Sequence, residues 1–181
     1  MPNTTELDGR RPFATVAVGW NPSGLAIRLI VSGKKQSPWC RRSRIEDSDG
    51  LHLWIDTRGV RDVHRASRFC HRFAILPFGG GPEEKDPVRA AVPIPRAQGT
   101  PHPRRPDAVH CRSQRLDDGY RLDVYFEADA LTGYDPEEHS RLGFNYVVVD
   151  REHGQQSLSV DSPVFPFPSD PSLWAGLELI S

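Results

Sequence analysis

The one grouping in this 181-residue chain that hints at a transition metal is His52, His64, Cys70 and His71. Imidazole and thiolate are ligands that suit zinc. The His-x5-Cys-His spacing from His64 matches no standard zinc site. Adjacent strand residues point to opposite faces, so Cys70 and His71 cannot easily turn toward one ion. Buried thiols and hydrogen-bonded imidazoles are the default, and no metal ligand is assigned. A second group is the run Arg58, Arg61, Arg65, Arg68 and Arg72, whose guanidinium groups match a carboxylate or phosphate in bidentate fashion. A solvated face balanced by Asp56 and Asp62 is the favoured reading of that run. For catalysis the chain offers no G-x-S-x-G elbow, P-loop, H-E-x-x-H or G-x-G-x-x-G. Loop carboxylates such as Glu46, Asp47 and Asp49 are ordinary without a geometry that pairs them. An enzyme is therefore not expected, although a His/Cys metal enzyme stays open as the last alternative. Four tryptophans remain, and an indole can stack on the apolar C–H face of a sugar or anchor a protein partner.

Composition narrows the partners. Hydrophobic residues make up 37% and charged residues 26%, and the formal net charge is −1. That balance is globular and gives no electrostatic case for nucleic acid or an anionic membrane. Residues 1–11 are polar, so no signal peptide is expected, and no segment is long and apolar enough to span a bilayer. Cys40, Cys70 and Cys111 form an odd set without a C-x-x-C pair, which fits reduced thiols and a cytoplasmic setting. The length suits one domain.

The elements that must position these residues are short and alternate with period two. Phe13 to Trp20 and Leu25 to Val31 read as a hairpin through the turn Asn21-Pro22-Ser23-Gly24. In Leu51 to Asp56, Leu51, Leu53 and Ile55 share one face while His52 and Trp54 share the other. The arginine spacing predicts a short helix or loop over Val60 to Ala66, then a strand through Phe73 and Ile75 into Phe78. The Pro-rich stretch 82–107 has no sustained period and reads as a surface insertion. Val109 to Leu116 and Tyr120 to Glu127 form a second hairpin through Asp117-Asp118-Gly119. One helical turn fits Ala128 to Tyr134. Leu142 to Asp150 is nearly continuous in apolar residues, as a central strand would be. Gln156 to Val160 and Leu173 to Ile180 supply the last strands, around a Pro/Phe-rich loop over Ser162 to Pro171. Many short strands and no βα rhythm predict an all-β fold: an antiparallel, jelly-roll-like β-sandwich with little helix, occupying residues 1–181 as a single domain.

The ordered set VGWNPSGLAIRLIV, Ser-Pro-Trp ending at Trp39, DGLHLWIDTR, DDGYRLDVYFEADAL, RLGFNYVVVDRE and DPSLWAGLELI resembles the family-9 carbohydrate-binding modules and their sandwich relatives. The resemblance covers most of the chain outside the Pro-rich insertion. It implies a non-catalytic domain that holds a terminal sugar between two tryptophans, with polar side chains on neighbouring strands. Trp39 stands where the first tryptophan would be, and Phe167 and Pro168 occupy the neighbourhood of the second. His52 replaces the carboxylate expected on its strand, and Ala74 and Leu76 stand where Arg and Asn are expected on the next. The resemblance places Trp174 in the core. It allows a structural calcium ion in a loop, while the lone Met1 argues against Met/His ligation of haem.

The ligand is therefore expected on the sheet face carrying His52, Trp54 and Arg72, rimmed by Trp39 and Phe167. The partners implied are a saccharide or another protein, with no nucleic acid and no membrane. The alternative is a protein-interaction or scaffold domain that has lost sugar binding, with residues 82–107 as its contact element or as a cover over the old site. Two side chains stay open between roles. Trp39 is either a platform or a packing residue for its loop, and Trp54 faces either the site or the insertion.

Overall fold

The computed structural model describes residues 1–4, 9, 11–159 and 165–180. Among the described residues, alternation of apolar and polar side chains produces ten strands: β1 Ala14–Asn21, β2 Gly24–Val31, β3 Gly50–Asp56, β4 Cys70–Gly80, β5 Asp86–Ala91, β6 Val109–Leu116, β7 Gly119–Glu127, β8 Arg141–Asp150, β9 Gly154–Ser157 and β10 Ala175–Glu178. One sheet has the order β1-β2-β7-β6, and the other has β10-β8-β3-β4-β5 with β9 also paired to β8. All pairings are antiparallel. The fold is thus the expected β-sandwich. Helix is confined, among the described residues, to 3-10 turns at Arg42–Arg44, Ala128–Ala130 and Pro171–Leu173. None of these could cross a membrane.

The core forms where the two sheets face each other. Leu25, Ile27, Leu29 and Val31 of β2 and Tyr120, Leu122, Val124 and Phe126 of β7 meet Leu51, Leu53 and Ile55 of β3 and Phe144, Tyr146 and Val148 of β8. Each such side chain contributes roughly 1.5–3 kcal/mol by leaving water. The strand β7 keeps one wet face, with residues alternating between buried and half-buried. The central strand β3 does not: every one of its residues is buried. Its outward side chains are covered by chain rather than by water, which decides the environment of His52 and Trp54.

One open reading resolves and two expectations change. Residues 60–66 form a loop of bends and turns, not a helix. The recurrence of arginine there has no apolar stripe beside it to hold a helix against the sandwich. The stretch 82–107 is not only a surface insertion, because Asp86–Ala91 pairs with β4 as the edge strand β5. Gly81, at φ +70°, supplies the left-handed turn that leads into it. Trp174 is buried, but on the outer side of the six-stranded sheet and not between the sheets. The expected loop over Ser162 to Pro171 and strand over Gln156 to Val160 extend partly outside the described residues.

Candidate functional site

Because β3 lies between β4 and β8, its outward residues are flanked on both sides. Trp54 stands opposite Arg72 of β4 and Asn145 of β8, and His52 stands opposite Ala74 and Val147. The segment approaching β10 crosses this face. Phe167 meets the Trp54 ring edge-on at 5.3 Å and 81°, and the Trp54 indole N–H donates to the Pro168 carbonyl at 3.3 Å. Trp174 joins the same apolar group and donates its indole N–H to the Phe167 carbonyl at 2.8 Å. The Arg72 guanidinium lies over the Trp54 ring at 5.2 Å and forms an ion pair with Glu46. His52 stacks near the same ring at 6.2 Å. Four of the five expected residues therefore converge, but Trp54 is only 3% exposed.

The polar atoms on this face are less well matched than its rings. His52 Nε2, Arg72 Nε and Asn145 Nδ2 are buried without a hydrogen-bond partner among the described residues. A buried polar group costs about 1–3 kcal/mol unless a partner, water included, meets it. Burial pushes the His52 imidazole down to about 4, and the Arg72 charge adds to the effect. His52 is thus neutral near pH 7. Asn145 was not among the residues expected here. Its signal is an amide between the inward-facing Phe144 and Tyr146 in an otherwise apolar strand. Arg72 and Asn145 take the flanking positions beside Trp54, while Ala74 lies beside His52.

Trp39 belongs to a different neighbourhood. It is half-buried near the start of β3, with the guanidinium groups of Arg151 at 5.1 Å and Arg44 at 5.9 Å over its ring. Its backbone N–H donates to Asp49 at 3.1 Å. It is not part of the apolar group around Trp54. Asp49 and Asp150 are the buried carboxylates best placed to attract a cation, and Lys34 already lies between them, at 3.2 and 2.6 Å. Burial alone would lower the Lys34 ammonium. The hydrogen bond to Asp150 and the charges of both carboxylates outweigh that and hold its pKa above the usual lysine value. A calcium ion does not fit a cluster neutralised in this way. Among the described residues no group of three or more His, Cys, Asp or Glu side chains is placed to hold a metal.

The chemistry-bearing residues of the sequence disperse. Cys70 packs in the outer group with Trp54, whereas the His71 Nε2 accepts the Thr132 backbone N–H at 2.9 Å. Burial pushes the thiols of Cys40, Cys70 and Cys111 each up to about 11, so none is a ready thiolate. His64, Asp170 and Ser172 come together, yet they do not form a proton relay. Asp170 and Ser172 both approach the same nitrogen, Nδ1, at 3.1 Å. A relay needs the nucleophilic hydroxyl and the orienting carboxylate on opposite nitrogens of the histidine base.

No protein-family model and no curated protein sequence matches the chain. Solved structures do match its fold. A family-9 carbohydrate-binding module from Caldicellulosiruptor kristjanssonii in complex with cellotriose superimposes with a TM-score of 0.63 at 14% identity, covering 91% of this chain and 73% of that one. The same kind of module from that organism in complex with glucose gives a TM-score of 0.63 at 14% identity, over 91% and 75% of the two chains. The chain therefore has the family-9-like sandwich fold, as the order of its sequence motifs implied.

Proposed function

We propose that this chain is a non-catalytic recognition domain whose ligand is a saccharide, bound on the outer face of the six-stranded sheet. The observation that carries this reading is the clustering of three unmatched polar atoms, on His52, Arg72 and Asn145, around the Trp54 indole. A sugar satisfies such a face by stacking C–H groups on the ring and placing hydroxyls against the polar atoms. The two solved modules of the same fold hold glucose and cellotriose, which supports the class of ligand. In this reading Phe167 occupies the edge of the platform in the free protein and yields to the sugar ring. Lys34 takes the role of a structural cation, so binding needs no calcium. Three unpaired cysteines favour a reducing compartment.

The test is a glycan-array screen, with intrinsic tryptophan fluorescence used to titrate any hit. The expected result is saturable binding that Asn145→Ala and Trp54→Phe weaken at least tenfold while the circular dichroism spectrum is kept. Silence across the array, both for the wild type and for a Phe167→Ala variant that uncovers Trp54, would sink the proposal. One observation favours a second reading. Phe167, Pro168 and Trp174 together bury the indole as a packed core would, which suits an interaction domain that no longer binds sugar. Such silence would move the weight there.

A further inference from the structure

β5 stops pairing with β4 short of the start of β4. The last bond between them is the Val92 N–H to the Arg72 carbonyl, at 2.9 Å. Beyond it Cys70 and His71, the first residues of β4, have no partner on β5, and the Pro-rich chain that follows β5 bends across them. Between them lies a cleft of about 400 Å³ lined chiefly by apolar groups, among them Phe73, Val92, Ile94, Pro101, Pro103 and Ala130. This is within the size range of small-molecule sites, roughly 300–1,000 Å³. Its far wall is held in place at both ends. The Gln98 N–H donates to the Ala66 carbonyl at 2.8 Å, and the Arg105 N–H donates to the Asp129 carbonyl at 2.9 Å. Prolines stiffen the wall between those anchors. The cleft therefore exists before any ligand arrives.

His71 also lines this cleft and is only 3% exposed. Its Nε2 accepts the Thr132 N–H, so the single proton of the neutral imidazole sits on Nδ1. That Nδ1–H has no acceptor among the described residues. The ring pairs with Phe73, stacked at 5.9 Å and 6°, which fixes its plane. Desolvation holds the imidazole down to about 4, so it presents a neutral donor and not a cation at ordinary pH. A neutral donor beside apolar walls suits an uncharged oxygen better than a carboxylate.

We propose that this cleft binds a small, uncharged aromatic molecule carrying one carbonyl oxygen, with the oxygen accepting the His71 Nδ1–H and the ring packed on the proline and aliphatic walls. This cleft borders the saccharide face, since Arg72 lines both, but its His71 contact does not depend on that reading. The probe pair is acetophenone and cumene, which share ring and branching but differ in the acceptor oxygen. Amide chemical shifts at Val92, Ile94 and Thr132 are followed by NMR on the full chain. The expected result is saturable binding of acetophenone, about tenfold tighter than cumene, as one net hydrogen bond gives. The wild-type His71 nitrogen shifts should report the Nδ1–H tautomer. His71→Phe should bring acetophenone down to the affinity of cumene, and Ile94→Trp should abolish both. Equal affinity for the two probes, no saturable shift, or an Nε2–H tautomer would each overturn the proposal. All three readouts need only the wild type, so a misfolded variant leaves the test intact.

Discussion

Acidification should unfold this domain through two histidines before its carboxylates titrate. His52 and His71 are held at about 4 in the folded chain, against 6.5 for the free side chain. Desolvation is the main cause for both, and the Arg72 charge adds to it for His52. The sign follows from proton binding. Between pH 6.5 and 4 the unfolded chain carries protons on these rings that the native state excludes, so stability falls as pH falls. The contribution is fully present above pH 6.5 and is lost on the way down to 4. Between pH 7.5 and pH 5, linkage gives a loss of about 2 kcal/mol per histidine, or about 4 kcal/mol for the pair. The Asp56 carboxyl, raised by its own burial, takes up a proton more readily when folded and works in the opposite direction. The histidine figure is therefore an upper value. With a urea slope of about 2 kcal/mol per molar, the unfolding midpoint should fall by up to about 2 M. Urea melts at the two pH values should show this drop, with His52→Gln and His71→Gln each removing about half and the double variant nearly all of it. If the double variant loses as much stability between pH 7.5 and 5 as the wild type, the two rings are not the cause.

Two further perturbations probe the rest of the molecule. Lys34→Met should cost about 3–5 kcal/mol, because it leaves Asp49 and Asp150 buried without their cation. Adding Asp150→Asn should recover much of that loss, while a chelator should leave the wild-type melting temperature unchanged; a drop with EDTA would show that Lys34 does not replace a metal. Phe167→Ala should cost about 3 kcal/mol, as truncation of a buried phenyl does, and should shift tryptophan emission to the red as Trp54 meets water. An unchanged emission maximum in a folded variant would mean that other groups close the face.

Much of this architecture is written in period two. In β3, Leu51, Leu53 and Ile55 turn to the core and His52 and Trp54 turn away, as alternation dictates. The hairpins on either side of their Gly-containing turns follow equally directly. β5 escaped because edge strands carry what blunts them: Pro87 and Arg89 interrupt the alternation that would reveal the strand. The recurrence of arginine every three or four residues over 61–72 imitates a helix, but those side chains need no common buried face. Trp174 reads as a core residue because it is large and apolar, and only the sheet order shows on which side it is buried. The site was half legible. His52, Trp54, Arg72 and Phe167 could be grouped from the motif order. The partnership of Trp54 with Asn145 depends on strand register between residues far apart in sequence. Trp39 matches the expected pattern in sequence but lies one neighbourhood away from the Trp54 group in the fold, because its loop is tied to Asp49.

The four-stranded sheet consists of two hairpins, β1–β2 and β6–β7, each closed by a turn of a few residues. They join only through β2 and β7, where Val31 meets Tyr120 and Gly24 meets Glu127. Each hairpin can form by itself in about 1–10 μs. Their union closes a loop of nearly half the chain, and that loop contains β3, β4 and β5 of the opposite sheet. The entropy of that closure falls due before the shared core rewards it. Assembly is thus fast at the two ends of one sheet and slow at its middle seam, with an overall pace in the milliseconds-to-seconds range typical of sandwiches rich in distant contacts, on the order of 10³ times slower than either hairpin alone. Until the seam closes, β2 and β7 each present an unpaired edge, so newly made chains are most exposed to one another at the place where the finished domain is best buried.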